Sequence, residues 1–215
     1  GAGAGFYLWL SGHRVEGLEL LTAAADVPGE VEDETRALVY ALVVMFVTAG
    51  LGNERQAEEW IHKTYRLRQS SGSGNPLLEL VVPLERSLRE PDGYFPAWEE
   101  LLESEDPWVR ALGRLHLGKM RNLLGDAGWD ADTYLEVALA EFRELGERFG
   151  ISFALSELAE RITTRGEFAR ACEYYEEAVT VVTEVGAVED VIHMRARQAH
   201  LYRLLGDADA EAAAM

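Results

Sequence analysis

The stretch that decides the fold is residues 151–185, ISFALSELAERITTRGEFARACEYYEEAVTVVTEV. Leu155, Leu158, Ala159 and Ile162 recur at three- and four-residue spacing until Gly166 interrupts them. Phe168, Ala171, Tyr175 and Ala178 then resume the same spacing. Apolar positions at that spacing line one side of a helix, and a glycine just past the last of them stops it. The segment therefore predicts a helix, a tight turn and a second helix. Small residues such as Ala159 and Ala171 let two helices approach closely, and large ones such as Phe168 and Tyr175 fill the gap between neighbouring hairpins.

The same device repeats outward from that stretch. Turn glycines stand at Gly12, Gly52, Gly93, Gly125, Gly166 and Gly206, with steps of 40, 41, 32, 41 and 40 residues. Apolar helical stretches flank most of them, which gives six hairpins at about 4–27, 30–69, 75–104, 107–149, 151–185 and 188–215. Ala138, Phe142 and Leu145 lie 33 residues before Ala171, Tyr175 and Ala178, and Leu117, Gly118 and Gly125 fit the fourth hairpin. Gly12, Gly17, Leu21 and Ala24 fit the first hairpin, and Ala199, Tyr202 and Gly206 the sixth. The second and third hairpins match poorly, and Arg121 stands where the fourth should carry an aromatic. A lone hairpin cannot cover its own apolar side, so consecutive ones must share a core. The expected fold is all-α: a right-handed α-solenoid of about six hairpins, one domain over 1–215. Asn75-Pro76 and Asp106-Pro107 place a capping residue before proline at helix starts. The segment Ser70–Pro76, SSGSGNP, is expected to be a mobile loop.

The side-chain pattern resembles the tetratricopeptide repeat signature, with degenerate repeats. A closer resemblance covers roughly 107–215. DPWVRALGRLHLGKMRNLLGD (106–126), EFRELGERFG (141–150) and EVGAVEDV (184–191) are similar to the C-terminal repeats of AfsR/SARP-like actinobacterial transcriptional regulators. In that group a DNA-binding and bacterial transcriptional activation part precedes an NB-ARC-type ATPase and then the repeats. Related tails occur on MalT-like activators. Arg outnumbers Lys by 18 to 2, which suits a GC-rich genome. No GxxxxGK(S/T) phosphate loop and no basic recognition helix is present in the sequence.

Composition narrows the partners. Acidic residues outnumber basic ones by 38 to 20, a formal charge of −18, which argues against direct contact with nucleic acid or anionic lipid. A single Cys172 excludes an internal disulfide and a cysteine zinc cluster, so a reducing, cytoplasmic compartment is expected. The longest apolar run, 37–52, falls short of the roughly twenty residues a spanning helix needs, and is read as a buried helix. The chain opens without Met and stops at Met215 within an Ala-rich helical pattern, so it is read as a piece of a longer protein.

No catalytic residue, cofactor or metal is expected. Gly1, Gly3 and Gly5 follow no strand and open no βαβ unit, and the SSGSGNP segment lacks the lysine of a phosphate cradle. His193 and His200 are seven apart rather than the four of a helical metal pair, and His13, His62 and His116 supply no third ligand. Cys172 reads as a small buried thiol, and runs such as Glu99-Glu100 as solvated helix faces.

The repeat resemblance implies a concave groove lined by the first helix of each hairpin, where peptides or partner helices dock. Mapping the signature onto this chain gives Phe6 and Trp9 in the first hairpin, Phe46 in the second and Lys119 with Asn122 in the fourth. Glu160 and Thr163 follow in the fifth, and His200 and Arg203 in the sixth. The alternative is that Phe6, Trp9 and Phe46 are core and Lys119 is solvated. The function implied is non-enzymatic: an interaction or effector-sensing domain of a multidomain transcriptional regulator. Its partner would be a protein segment, including the ATPase module of the same chain, or a small effector. A free-standing scaffold or adaptor and a MalT-like peptide or small-ligand receptor are the alternatives.

Overall fold

Helix is the only regular structure among the residues described by a computed structural model of the chain, which are 7–9, 12–48, 52–124 and 131–215. They form two compact units, Gly1–Leu101 and Leu102–Met215.

In the first unit, helical residues 7–9 precede α1 (Arg14–Asp26), and α2 (Asp33–Phe46) and α3 (Glu54–Ser71) form a long hairpin. The short α4 (Pro76–Glu79), α5 (Val81–Arg89) and α6 (Tyr94–Glu100) follow. Ala37, Ala41, Leu42, Val43, Val44 and Phe46 are all buried, so α2 is covered on most sides, as its apolar run predicts. No helix among the described residues is long and apolar enough to cross a membrane. Asn53 and Gln56 start α3 with a reciprocal pair: the Gln56 amide donates to Asn53 Oδ1 at 3.0 Å and the Asn53 amide to Gln56 Oε1 at 3.1 Å.

Helices start at both Asn75-Pro76 and Asp106-Pro107, as the sequence predicts. Asn75 Oδ1 accepts from the Leu77 amide, and Asp106 Oδ1 accepts from the amides of Trp108 and Val109. The SSGSGNP segment is shorter as a loop than expected, because α3 runs on through Ser71 and ends at a left-handed Gly72. Ser70 and Ser73 hydroxyls then donate to Asp33 and Glu34 in the first turn of α2. Gly93 differs too: it closes a 3₁₀ turn at φ −80°, so this turn needs no left-handed residue. Gly125 lies outside the described residues.

The second unit holds α7 (Pro107–Leu124), α8 (Ala131–Leu145), α9 (Arg148–Thr164), α10 (Phe168–Glu184), α11 (Val188–Leu205) and α12 (Ala208–Ala214), each packed on the next. Its turns share one design at a step of 20 residues: Gly146, Gly166, Gly186 and Gly206 all sit at φ between 66° and 79°. In each, the glycine amide donates to the carbonyl three residues back and the next amide to the carbonyl five back. Gly166 donates to Thr163 at 2.9 Å and Glu167 to Ile162 at 3.3 Å. This double closure satisfies the last helical carbonyls and requires a left-handed residue. The core beneath is Leu135, Ala138, Phe142, Ala154, Leu155, Ala159, Ala171, Tyr175 and Ala178, all within 2% of complete burial. Close approach depends on two further glycines. A Cβ on Gly150 would lie 2.3 Å from Phe142, and one on Gly118 would lie 2.8 Å from Leu135.

Candidate functional site

The helices α7, α9 and α11 are the first members of three successive hairpins, and their polar side chains meet along one face. Lys119 on α7 pairs with Glu157 on α9 at 2.8 Å, and its Nζ stands 4.5 Å over the Phe153 ring. Asn122 Oδ1 accepts from Arg161 on α9 at 3.2 Å. Arg161 and Arg165 also both bond Asp132 of α8. Glu160 on α9 accepts from Arg197 on α11 and from the Tyr175 hydroxyl at 2.6 Å. The polar contacts between successive first helices here are the Lys119–Glu157 and Glu160–Arg197 ion pairs and the Asn122–Arg161 hydrogen bond, and most of their members are only half-buried.

The electrostatics follow from those contacts. Burial works to raise the Glu160 carboxyl, but bonds from Arg197 and Tyr175 with the charges of Arg197 and His193 outweigh it and hold it below the usual range. Burial together with the Glu160 bond pushes the Tyr175 hydroxyl up. The bond to Glu160 raises Arg197 in turn. Burial, with Lys119 nearby, lowers His116 from 6.5 to about 4.

His116 is therefore neutral in the folded chain at pH 5–6, whereas an unfolded histidine there takes up a proton. Its contribution to stability is present above pH 6.5 and is lost as pH falls towards 4. His116→Gln should flatten the pH dependence of unfolding free energy across that window by up to ~2–3 kcal/mol. Urea denaturation of both proteins at pH 7, 5.5 and 4.5 checks this, and equal slopes would refute it.

The structure sorts the expected groove residues. Lys119, Asn122 and Glu160 lie on this face, but each is engaged by a neighbouring helix, so Lys119 is not a free cation awaiting a ligand. The Thr163 hydroxyl is turned back onto the Ala159 carbonyl of its own helix at 2.8 Å. His200 and Arg203 are exposed, with the Arg203 guanidinium donating to His200 Nδ1 at 3.0 Å. Trp9 and Phe46 are corrected from groove to core. They are 7% and 0% exposed, and their rings meet edge to face at 5.0 Å, so they offer no apolar surface to a ligand. Phe6 lies outside the described residues.

Glu157, Arg161 and Arg197 were not anticipated from the sequence. For Glu157 and Arg197 the signal was present as opposite charges one hairpin apart: Lys119 to Glu157 is 38 residues and Glu160 to Arg197 is 37. Cys172 is 3% exposed, as expected of a packed thiol, and burial pushes its pKa up. Among the described residues no group of three or more His, Cys, Asp or Glu is placed to hold a metal ion.

No protein-family model matches the chain, and no curated protein matches it. Among solved structures, the chain is similar to the crystal structure of a Signal Transduction ATPase with Numerous Domains (STAND) protein with a tetratricopeptide repeat sensor, from Pyrococcus horikoshii. The TM-score is 0.53 at 18% identity, over 88% of this chain and 30% of that one. The likeness is therefore one of fold, and the chain spans about 30% of the length of the protein it resembles.

Proposed function

We propose that this chain is a non-catalytic interaction and sensing domain of tetratricopeptide type, working inside a cytoplasmic multidomain transcriptional regulator. In this reading the face of α7, α9 and α11 receives a partner segment or effector and passes the event to an ATPase module elsewhere in the polypeptide. DNA contact would belong to another part of that protein. The observation that carries the reading is that successive first helices meet through half-buried ion pairs, Lys119 with Glu157 and Arg197 with Glu160. Apolar contacts hold adjacent helices in one arrangement, whereas paired charges near solvent can exchange partners at small cost. A charged ligand that replaces one member of each pair binds and loosens the link between hairpins in one step. The fold shared with a tetratricopeptide sensor and the sequence resemblance to regulator tails support the same reading.

The test uses the full-length polypeptide. Lys119→Met with Arg197→Met should leave the helical content unchanged and at least halve the change in nucleotide hydrolysis that the effector produces. An unaltered response in a folded double variant, or an open reading frame with no phosphate loop, would overturn it.

A further inference from the structure

The first unit carries a hollow that owes nothing to the face described above. It lies between α1 and α2, has a volume of about 270 Å³, and is lined by Ala24, Val27, Val31, Thr35, Arg36 and Val39. Its rim exposes apolar side chains where a turn has no need of them. Val27 and Val31 flank Pro28-Gly29-Glu30 and are 58% and 46% exposed. Leu20, 60% exposed, lies on the same side of α1 as Ala24 and Val27, at i, i+4 and i+7.

One cation faces these walls. Arg36 Nη2 donates to the Gly29 carbonyl at 3.1 Å, which fixes the guanidinium at the turn, and among the described residues its other N–H groups have no partner. Among the described residues Arg36 makes no ion pair, although the chain carries a net charge of −18. Arg66 and Arg110 likewise donate to main-chain carbonyls, whereas Arg86, Arg89, Arg114, Arg143, Arg161 and Arg197 all face carboxylates.

Apolar walls with one planar, fork-shaped donor at the edge suit a single chemistry, an aliphatic carboxylate. At roughly 30 Å³ per water-sized group the hollow holds about nine such groups, below the range of drug-sized sites. We propose that it binds a carboxylate bearing a short branched aliphatic group, with the alkyl part against Val27, Val31 and Val39 and the carboxylate on Arg36. The source is a free small acid or the terminal residue of another chain, and the experiment separates the two. The sensor reading of the second unit can fail without affecting this site.

The ¹⁵N-labelled chain is titrated with 4-methylpentanoate, with 4-methylpentanol, and with an acetylated tetrapeptide ending in leucine as its free acid and as its amide. Backbone amides of residues 24–39 should shift with the acid, and the alcohol should bind at least tenfold more weakly. Arg36→Gln should bring the acid down to the level of the alcohol with thermal unfolding unchanged. Ala24→Leu, which fills the hollow, should abolish both. Binding of the free-acid peptide without binding of 4-methylpentanoate assigns the site to a chain terminus. Absence of shifts at 24–39 with every probe, or equal affinity for acid and alcohol, overturns the proposal.

Discussion

Gly150→Ala is expected to destabilise the chain by about 2–3 kcal/mol and to lower its unfolding midpoint by roughly 4–12 °C. The sign runs against helix propensity, since alanine is favoured over glycine by about 1 kcal/mol within a helix. Packing decides the outcome. The new Cβ would stand 2.3 Å and 2.4 Å from Cδ1 and Cε1 of Phe142. That ring is fully buried in the centre of the second unit, so it has no solvent to swing into. Gly118→Ala should cost about half as much, because its Cβ meets Leu135 Cγ and Cδ2 at 2.8 Å and 2.9 Å, and leucine has other rotamers to adopt. Phe142→Leu should absorb much of the Gly150→Ala cost, giving a coupling energy above 1 kcal/mol in a double-mutant cycle. Urea denaturation followed by circular dichroism reads the parent and all four variants. A stabilised Gly150→Ala would mean that α8 and α9 do not approach this closely.

The hairpins were legible because their turns are chemically marked. Gly12, Gly166 and Gly206 are left-handed, as their place after an apolar stripe requires. The turns recur at half the spacing that the hairpins alone predict. Gly146 and Gly186 close the turns between hairpins with the same bonds as those inside them, so the true repeat is one helix with its turn. Each glycine follows a large apolar residue by four positions, namely Phe142, Ile162, Val182 and Tyr202. The third hairpin resisted reading for a physical reason. Its helices α4, α5 and α6 are too short to display a full stripe.

The candidate face was legible only in part. Helical spacing tells which residues share a side, but not what covers that side, so Trp9 and Phe46 read equally well as groove or as core. In the structure each covers the other. The repeat pattern maps Lys119 and Glu160 to first helices, and they lie on α7 and α9. Their partners lie one hairpin away, where a search confined to single hairpins does not look.

Removing both hydrogen-bond donors from Glu85 should be the most damaging polar change in the first unit, costing about 3–5 kcal/mol in His62→Leu/Arg89→Met. The Glu85 side chain is only 3% exposed, and it accepts from His62 Nδ1 at 2.5 Å and from Arg89 Nε at 2.8 Å. With both gone, the buried carboxylate loses the two side chains that donate to it. The reverse change behaves differently. His62 and Arg89 are 37% and 64% exposed at their side chains, so after Glu85→Leu both can be solvated and an apolar group occupies the buried position. That variant should lie within about 1 kcal/mol of the parent. Arg89→Met alone should cost about 1–2 kcal/mol, since His62 still donates to the carboxylate. If Glu85→Leu proves as costly as the double variant, then shape rather than charge holds α3 against α5.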